Sequence, residues 1–201
     1  MAEWIAATEA ERPIDLVIAN AGISAGSGGR GERAEQVRKI MAINVDGVMN
    51  TVLPAIEAMR AREPTRPDGA PTSKRGQIAL MSSLAAFRGF PGAPAYCASK
   101  AAVRCYGEAM RGELHHLGIE VNVVLPGYVR SRITERNTFP MPMLMEAEPA
   151  ARRIRRGLER NRARIAFPLP MYWLARLLAG LPLWMTDPLL RKLPKKAAAK
   201  D

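Results

Sequence analysis

The strongest constraint on the fold is a set of short apolar runs separated by long segments with helical spacing. The runs are residues 14–19 (IDLVIA), 77–81 (QIALM) and 120–125 (EVNVVL). Each run has the length of one buried strand and is followed by turn-forming residues. Strands that alternate with long helices predict an α/β fold, in which helices cover both faces of a parallel sheet.

Two long helices are predicted between these runs. Residues 32–61 place apolar side chains on one broad face, with a bend expected at Pro54. The second helix is expected at residues 95–117 and is closed by Gly118. Residues 62–75 lack apolar periodicity and are expected to form an exposed loop. Because ligands of such sheets bind at the carboxyl ends of the strands, the residues that follow each run are the first candidates for a site.

The C-terminal part departs from this pattern and carries most of the charge. Residues 149–161 favour a basic helix, and the short run at residues 164–167 fits one more strand. We predict a main domain over residues 1–167 and a basic, apolar tail over residues 168–201. Residues 151–201 contain 13 Lys or Arg against three acidic residues, which gives +10 of the net +11 of the chain.

Two interpretations of the tail stay open. Trp173, Trp184 and several leucines flanked by basic residues are typical of a helix that lies in a membrane interface, which would make an anionic membrane surface a partner. Packing onto the sheet or a subunit interface, with a solvated basic face, is the alternative. A nucleic-acid partner is not expected, because the basic residues are not interleaved with stacking aromatics in a binding motif.

The cysteines and the first residues bear on the cellular compartment. Cys97 and Cys105 are eight residues apart within one predicted helix, too far along its axis to form a disulfide. Reduced thiols favour a cytoplasmic location. The opening residues, MAEWIAATEAERP, lack the basic and then apolar pattern of a signal peptide. His115 and His116 are adjacent and lack zinc-ligand spacing, so no metal site is expected.

Three polar residues form a candidate catalytic group. Tyr96 and Lys100 are four residues apart near the start of the second helix, so their side chains lie on one face. A free tyrosine has a pKa of about 10 and is a poor acid or base at neutral pH. We expect the Lys100 ammonium to lower the pKa of Tyr96 into the range for proton exchange with an alcohol or carbonyl. Ser83, which follows a predicted strand, is placed to donate to the same substrate oxygen.

These residues resemble the motifs of the short-chain dehydrogenase/reductase family, and the match runs from about residue 13 to about residue 131. The motifs occur in the family's order, at Asn20, Ala21 and Gly22, then Asn44, Ser83, Tyr96 and Lys100, Pro126 and Gly127, and Val129. Ser131 stands where the family often has threonine, so a hydroxyl is kept. The resemblance implies a Rossmann-like, doubly wound parallel sheet.

The resemblance also implies a role for each matched residue. Tyr96 would be the general acid/base, Lys100 would lower its pKa and hold the nicotinamide ribose, and Ser83 would orient the carbonyl. Asn44 would complete a proton relay through a bound water. The implied contacts to NAD or NADP are Asn20, Ala21 and Gly22 on the adenosine side, Tyr96 and Lys100 in the middle, and Pro126, Gly127 and Val129 at the nicotinamide.

The implied activity is reversible hydride transfer between the nicotinamide cofactor and a carbonyl or secondary alcohol. Substrate choice in this fold lies at residues 128–147, where methionines and Phe139 suit a hydrophobic small molecule, with core packing as the alternative. A homo-oligomer is expected. The competing hypothesis, from a different functional class, is an inactive remnant that only binds a partner or a membrane.

One part of the family pattern is not found in this sequence. Only 13 residues precede the first predicted strand, so we expect the family's first strands and glycine-rich cofactor loop to be lacking and cofactor affinity to be weak. Gly22, Gly26 and Gly28 imitate that loop, but only 68 residues separate Gly28 from Tyr96, too few for the intervening strands. Three explanations stay open: a truncated gene product, a mis-assigned start at Met1, or a fragment completed by another polypeptide.

Overall fold

The computed structural model describes residues 1–29, 31–63, 73–135, 137 and 139–192. It contains one sheet of four parallel strands in the order β1-β2-β3-β4. The strands are β1 (Leu16–Ala19), β2 (Gly76–Met81), β3 (Ile119–Pro126) and β4 (Arg164–Phe167). The predicted α/β class and parallel sheet are confirmed, and the short run at residues 164–167 is a strand. Most of the predicted loop at 62–75 lies outside the described residues.

Eight α-helices surround the sheet within the described part of the chain. They are α1 (Ala2–Glu11), α2 (Ala34–Met41), α3 (Gly47–Ala61), α4 (Pro94–Glu113), α5 (Arg132–Glu135), α6 (Ala147–Glu159), α7 (Leu169–Gly180) and α8 (Leu183–Leu190). Short 3-10 turns at Leu84–Ala86 and His115–Leu117 follow β2 and α4. None of these helices combines the length and the apolar composition that a bilayer-spanning segment needs.

The predicted helix at residues 32–61 is divided in the structure. A π-helical turn at Ala42–Asp46 separates α2 from α3, and the chain continues through it without leaving helical geometry. Such turns insert one residue into the helical repeat and often occur at functional sites. Helix α1 was not anticipated. Its alanines and glutamates are good helix formers, and its Ile5 is buried where α1 packs on α3.

Side chains alternate along the strands and divide the core between the two faces of the sheet. On one face, Ile78 and Leu80 of β2 pack with α3 and α4. On the opposite face, Ala79 of β2 and Val124 of β3 pack with α6. This two-sided burial explains why β2 and β3 are continuous apolar runs rather than alternating ones, whereas Leu16 and Ile18 of β1 are exposed. The sheet is therefore doubly wound.

The parallel register brings the strand ends together. Met81 of β2 is opposite Val124 of β3, and Pro126 is opposite Phe167 of β4. The segments that follow the first three strands, beginning at Asn20, Ser82 and Gly127, therefore leave the sheet at the same edge. The candidate site residues that follow the predicted strands therefore lie at this edge.

Replacing Gly118 with Ala is expected to lower the free energy of unfolding by about 3 kcal/mol, because the position is left-handed and closely packed. Gly118 has a φ of +69°, and an added Cβ would lie 1.8 Å from the Ser73 carbonyl oxygen. Urea unfolding measures the effect. The control is Gly112→Ala in α4, where nothing lies within 4 Å of the added atom. A Gly118 variant as stable as this control would contradict the packing.

Candidate active site

Ser83 occupies the junction between β2 and the 3-10 turn that follows it. Its hydroxyl caps this turn by accepting a hydrogen bond from the Ala85 amide at 3.2 Å. The same hydroxyl donates to the carbonyl oxygen of Pro126 at 3.4 Å, so it also meets the end of β3. The side chain is almost completely buried. Ser83 is therefore held by both strand ends.

Tyr96 and Lys100 lie on the first turns of α4 and face the same strand ends. The Ser83 hydroxyl forms a side-chain hydrogen bond with Tyr96. Lys100 is only 5% exposed, and its Nζ donates to the carbonyl oxygen of Met81 at 2.8 Å. The ammonium lies 5.9 Å from the centre of the Tyr96 ring. The structure thus brings the three predicted catalytic side chains together.

The ionisation of this pair differs from the expectation. Burial raises the pKa of the Tyr96 hydroxyl, and the hydrogen bond with Ser83 only partly opposes that effect. Burial also lowers the pKa of Lys100 to about 8. The predicted lowering of the Tyr96 pKa by Lys100 is not found here, because burial of the tyrosine has the largest effect on its pKa and raises it. Tyr96 is therefore a protonated donor at neutral pH.

Asn44 lies in the π-helical turn and is fully buried, with 0% exposure. Its Oδ1 accepts from the Ile23 amide at 2.8 Å, and its Nδ2 donates to the Ile23 carbonyl at 2.9 Å. Nδ2 also donates a hydrogen bond to the Ser99 hydroxyl oxygen at 2.9 Å. Asn44 therefore joins the segment after β1 to the helix that carries Tyr96.

Gly22 lies where these groups converge. An added Cβ would lie 3.2 Å from Lys100 Nζ and 3.3 Å from Asn44 Oδ1, which is closer than ordinary packing allows. Glycine is therefore needed here for close approach rather than for an unusual backbone angle. The preceding Asn20 and Ala21 are exposed and line a cavity of about 350 Å³ beside β1. The cavity lies on the side that the family resemblance assigns to the adenosine.

Residues after β3 complete the edge of the site. The Gly127 amide donates to the Phe167 carbonyl at 2.7 Å, and an added Cβ at Gly127 would lie 3.0 Å from Pro168. Val129 forms a parallel bridge with Met145 and is partly buried. The structure therefore places Pro126, Gly127 and Val129 in one turn beside Ser83.

The predicted substrate-binding segment, residues 128–147, packs against this turn. The Tyr128 and Phe139 rings meet edge to face at 6.2 Å. Burial raises the pKa of Tyr128, and this tyrosine is close enough to Tyr96 to affect its ionisation. Arg136 and Thr138 of the segment lie outside the described residues. The Tyr128 and Phe139 pair thus lies beside Tyr96, whereas Met145 packs against the core cluster that includes α6.

The glycine segment from Gly22 to Gly28 makes contacts that support its interpretation as a loop near the site. The Ser27 amide donates to the Gly92 carbonyl at 2.9 Å, and the Gln36 side chain donates to the Gly26 carbonyl at 3.1 Å. These bonds attach the loop to the segment before α4 and to α2. The Ser27 amide is therefore occupied by a protein carbonyl rather than directed toward a phosphate.

Several supporting residues were not anticipated from the sequence. Ser82 donates to the Lys100 carbonyl at 2.7 Å, and Ser99 donates to the Tyr96 carbonyl at 2.8 Å. Glu32 accepts from the Ala95 amide at 2.8 Å, at the N-terminus of α4 where a carboxylate is favoured. Thr134 accepts from the Ser131 amide at 2.8 Å and donates to the Val129 carbonyl at 2.9 Å. In the sequence, only Ser82 and Ser99 could have been noticed, because each directly precedes a candidate residue, Ser83 and Lys100.

Replacing Asn44 with Ala is expected to cost about 2–3 kcal/mol of stability, because both backbone groups of Ile23 lose their partner in a buried site. Urea unfolding measures the loss. The control is Asn50→Ala, at an exposed position in α3, which should change stability by less than about 0.5 kcal/mol. Equal stability of the two variants would rule out an anchoring role for Asn44.

Comparisons with known proteins relate this site to dehydrogenases. A family model described as short chain dehydrogenase matches residues 2–140. A protein of Myxococcus xanthus (strain DK1622) named as an uncharacterized oxidoreductase is 36% identical over 192 residues, which cover 95% of this chain and 72% of that protein. A second relative, the oxidoreductase Rv0945 of Mycobacterium tuberculosis, is 34% identical, with 84% of this chain and 63% of that protein covered.

Solved structures give the same relation. A gluconate 5-dehydrogenase from Burkholderia cenocepacia J2315, in complex with NADP and tartrate, is 26% identical with a TM-score of 0.57 and covers 66% of this chain. This chain spans 48% of that structure. A short chain dehydrogenase from the same organism, in complex with NADP, is 24% identical with a TM-score of 0.75, covers 94% of this chain and 76% of that one, and shows the shared fold.

Proposed function

Because the chain belongs to the short-chain dehydrogenase family, we propose that its site carries out reversible hydride transfer between NAD or NADP and a carbonyl compound or secondary alcohol. The observation that carries the proposal is the hydroxyl pair of Ser83 and Tyr96 beside the buried ammonium of Lys100. The family and its oxidoreductase relatives support an enzyme over the alternative of an inactive binding module.

The residues present fit the nicotinamide half of such a cofactor. Space beside Gly22 is kept open by the missing Cβ, and the Lys100 ammonium and the Asn44 amide border that space. An ammonium is a suitable donor to ribose hydroxyls. We propose that Lys100 and Tyr96 hold the ribose, that Pro126, Gly127 and Val129 border the nicotinamide, and that Asn20, Ala21 and Gly22 border the adenosine side. When bound, the nicotinamide supplies or accepts the hydride.

In the reducing direction, Tyr96 gives its proton to the substrate oxygen. Its raised pKa keeps the hydroxyl protonated at neutral pH but makes it a weaker acid, so release of the proton depends on stabilisation of the phenolate. Ser83 donates to the same oxygen and aligns the carbonyl with Tyr96. Lys100 remains largely cationic at pH 7, because its pKa is about 8, and stabilises the phenolate that forms. We assign Asn44 to the relay that returns the proton through a bound water.

The oxidation of an alcohol reverses these steps. The substrate hydroxyl gives its proton to the Tyr96 phenolate, and Ser83 again holds the oxygen. Burial disfavours the phenolate, so raising the pH is expected to favour this direction. The Lys100 ammonium opposes that trend, since it deprotonates near pH 8. The rate of alcohol oxidation should therefore rise with pH up to about pH 8 and then level off, because above this pH the loss of the Lys100 ammonium offsets the further ionisation of Tyr96.

A hydrophobic small molecule is the proposed substrate class. Tyr128 and Phe139 pack together beside the catalytic group, and Met141, Leu144 and Met145 are partly buried in the same segment. Unbranched methionine side chains adapt to different apolar ligands. These contacts favour an apolar wall for the substrate over a purely polar pocket.

Further features predicted from the sequence stay proposals. We propose that the protein forms a homo-oligomer and is cytoplasmic. We also propose that it binds peripherally to an anionic membrane surface. The proposed boundary between the catalytic domain and the tail is at residue 167. The two cysteines are free in the structure, which supports a reducing compartment. Light scattering of the purified protein measures the oligomeric state.

Titration of the purified chain with NADH and NADPH, followed by nicotinamide fluorescence, tests cofactor binding. The titration extends to millimolar cofactor, so that weak binding is also detected. Gly22→Val should weaken binding at least about tenfold by filling the space beside Lys100. Gly89→Val is the control, because nothing lies within 4 Å of its added Cβ. Absent binding of both cofactors would overturn the proposal.

A further inference from the structure

Helices α7 and α8 present an apolar surface to solvent. Large apolar side chains that are more than half exposed define this α7–α8 face: Trp173, Leu174 and Leu177 of α7, and Leu183, Trp184 and Leu189 of α8. Trp173 is 61% exposed and Trp184 is 76% exposed. Trp173 and Leu177 lie one turn apart on α7, and exposed apolar side chains grouped in this way are typical of an interaction site, whereas scattered single residues need no explanation.

The opposite sides of both helices are fixed to the main domain. Tyr172 of α7 is buried and meets the Phe87 ring edge to face at 5.6 Å. Thr186 and Asp187 of α8 accept hydrogen bonds from Arg88 at 3.1 Å and 2.8 Å. The buried inner side therefore fixes both helices to the main domain. The outward apolar side chains face solvent even though the helices are attached.

The charge around this face is positive. Arg176 lies beside the Tyr172 and Trp173 rings, and the exposed Arg191 and Lys192 follow α8. Asp187 is the one acidic residue in the sequence between positions 160 and 200, and it pairs with Arg88 at 2.8 Å and with Arg191 at 3.8 Å, so the net charge here stays positive. A partner for this face must therefore be apolar at its centre and anionic at its edge.

We propose that the α7–α8 face binds the surface of an anionic phospholipid bilayer. Tryptophan and leucine side chains enter the region between headgroups and acyl chains, and flanking basic side chains contact anionic headgroups. A second copy of the chain fits less well, because a symmetric contact would bring the Arg176, Arg191 and Lys192 charges of two subunits together. Charge complementarity thus selects lipid over self-association.

The position of α7 connects this surface to the catalytic edge of the sheet. Met171 of α7 lies 3.4 Å from the Cβ position of Gly127, and Tyr172 packs in one cluster with Leu84, the neighbour of Ser83. Bilayer binding would therefore place the site beside the membrane, where a hydrophobic substrate is concentrated. This consequence rests on the proposed function, whereas the lipid binding itself does not.

Flotation of the full chain with vesicles tests the proposal. The protein should float with phosphatidylcholine vesicles that contain phosphatidylserine and float poorly with phosphatidylcholine alone. Trp173→Ser combined with Trp184→Ser should lower the vesicle partition coefficient at least about tenfold. The control is Trp4→Ser, because Trp4 is a tryptophan of α1 that is 65% exposed and lies outside this face. Its partition should match that of the unaltered protein.

Three outcomes would overturn lipid binding: no flotation of the unaltered protein, equal flotation of the double variant, or equal loss in Trp4→Ser. A dimer that dissociates in the double variant, without lipid binding by the unaltered protein, would identify a second copy as the occupant. Circular dichroism melting checks that the variants fold. Cofactor titration is a separate readout, so a failure of the proposed oxidoreductase function would leave the flotation result unchanged.

Discussion

Replacing Tyr96 with Phe is expected to lower turnover by about a thousandfold, the scale of a lost general acid or base. The substitution removes only the hydroxyl that hydrogen bonds with Ser83, while the ring keeps its place on α4. Turnover is measured by following the oxidation of NADPH or NADH with a carbonyl substrate. Cofactor affinity should fall much less than turnover, because Lys100, the other proposed ribose-binding residue, is untouched.

The matched control is Tyr106→Phe. Tyr106 is a partly buried tyrosine of the same helix that packs against the core away from Ser83. Its substitution should leave turnover within about twofold of the unaltered protein, since it removes no group in contact with reactants. Undiminished turnover in Tyr96→Phe would disprove the proposed proton transfer, whichever substrate is used.

Replacing Lys100 with Met is expected to lower kcat/KM by at least about a hundredfold, because a preorganised charge beside the developing phenolate is lost. Methionine fills similar space without a charge. The loss should appear in both cofactor affinity and turnover, which distinguishes Lys100 from Tyr96. Steady-state kinetics at varied cofactor concentration separate the two. An unchanged kcat/KM would contradict the assigned role.

The same substitution has a pH-dependent effect on stability. Burial lowers the pKa of Lys100 from 10.5 to about 8, so the folded chain gives up this proton at a lower pH than the unfolded chain. Between about pH 8 and 10.5 the unfolded chain holds more protons, and stability therefore rises with pH by about 3 kcal/mol. The free energy of unfolding of the unaltered protein, measured by urea unfolding, should rise by this amount over that pH range relative to that of Lys100→Met. A pH-independent difference would contradict the burial of the charge.

The strands and the candidate site residues could be predicted from the sequence because their signals are local. An apolar run such as residues 77–81 has one favourable environment, a strand covered on both faces, and the turn residues after it mark its end. Tyr96 and Lys100 share a helix face by their spacing alone. Parallel order then places the residues after each strand at one edge, which brings Ser83 to the same helix.

Other features depend on contacts between distant residues and left no local signal. Glu32 caps α4 across 63 positions, and Asn44 meets Ser99 across 55 positions. The π-helical turn that positions Asn44 cannot be read from hydrophobic spacing. The direction of the Tyr96 pKa shift was wrong in the sequence analysis, because the spacing indicates the nearby ammonium but gives no measure of burial.

Transfer of deuterium from a cofactor labelled at its transferable position tests the central claim most directly. The chain is incubated with labelled NADPH or NADH and a panel of hydrophobic aldehydes and ketones, and the alcohols formed are analysed by mass spectrometry. Hydride transfer at this site predicts deuterium on the carbinol carbon of at least one alcohol, and its loss in Tyr96→Phe. Cofactor binding without deuterium in any product would contradict the proposed reaction.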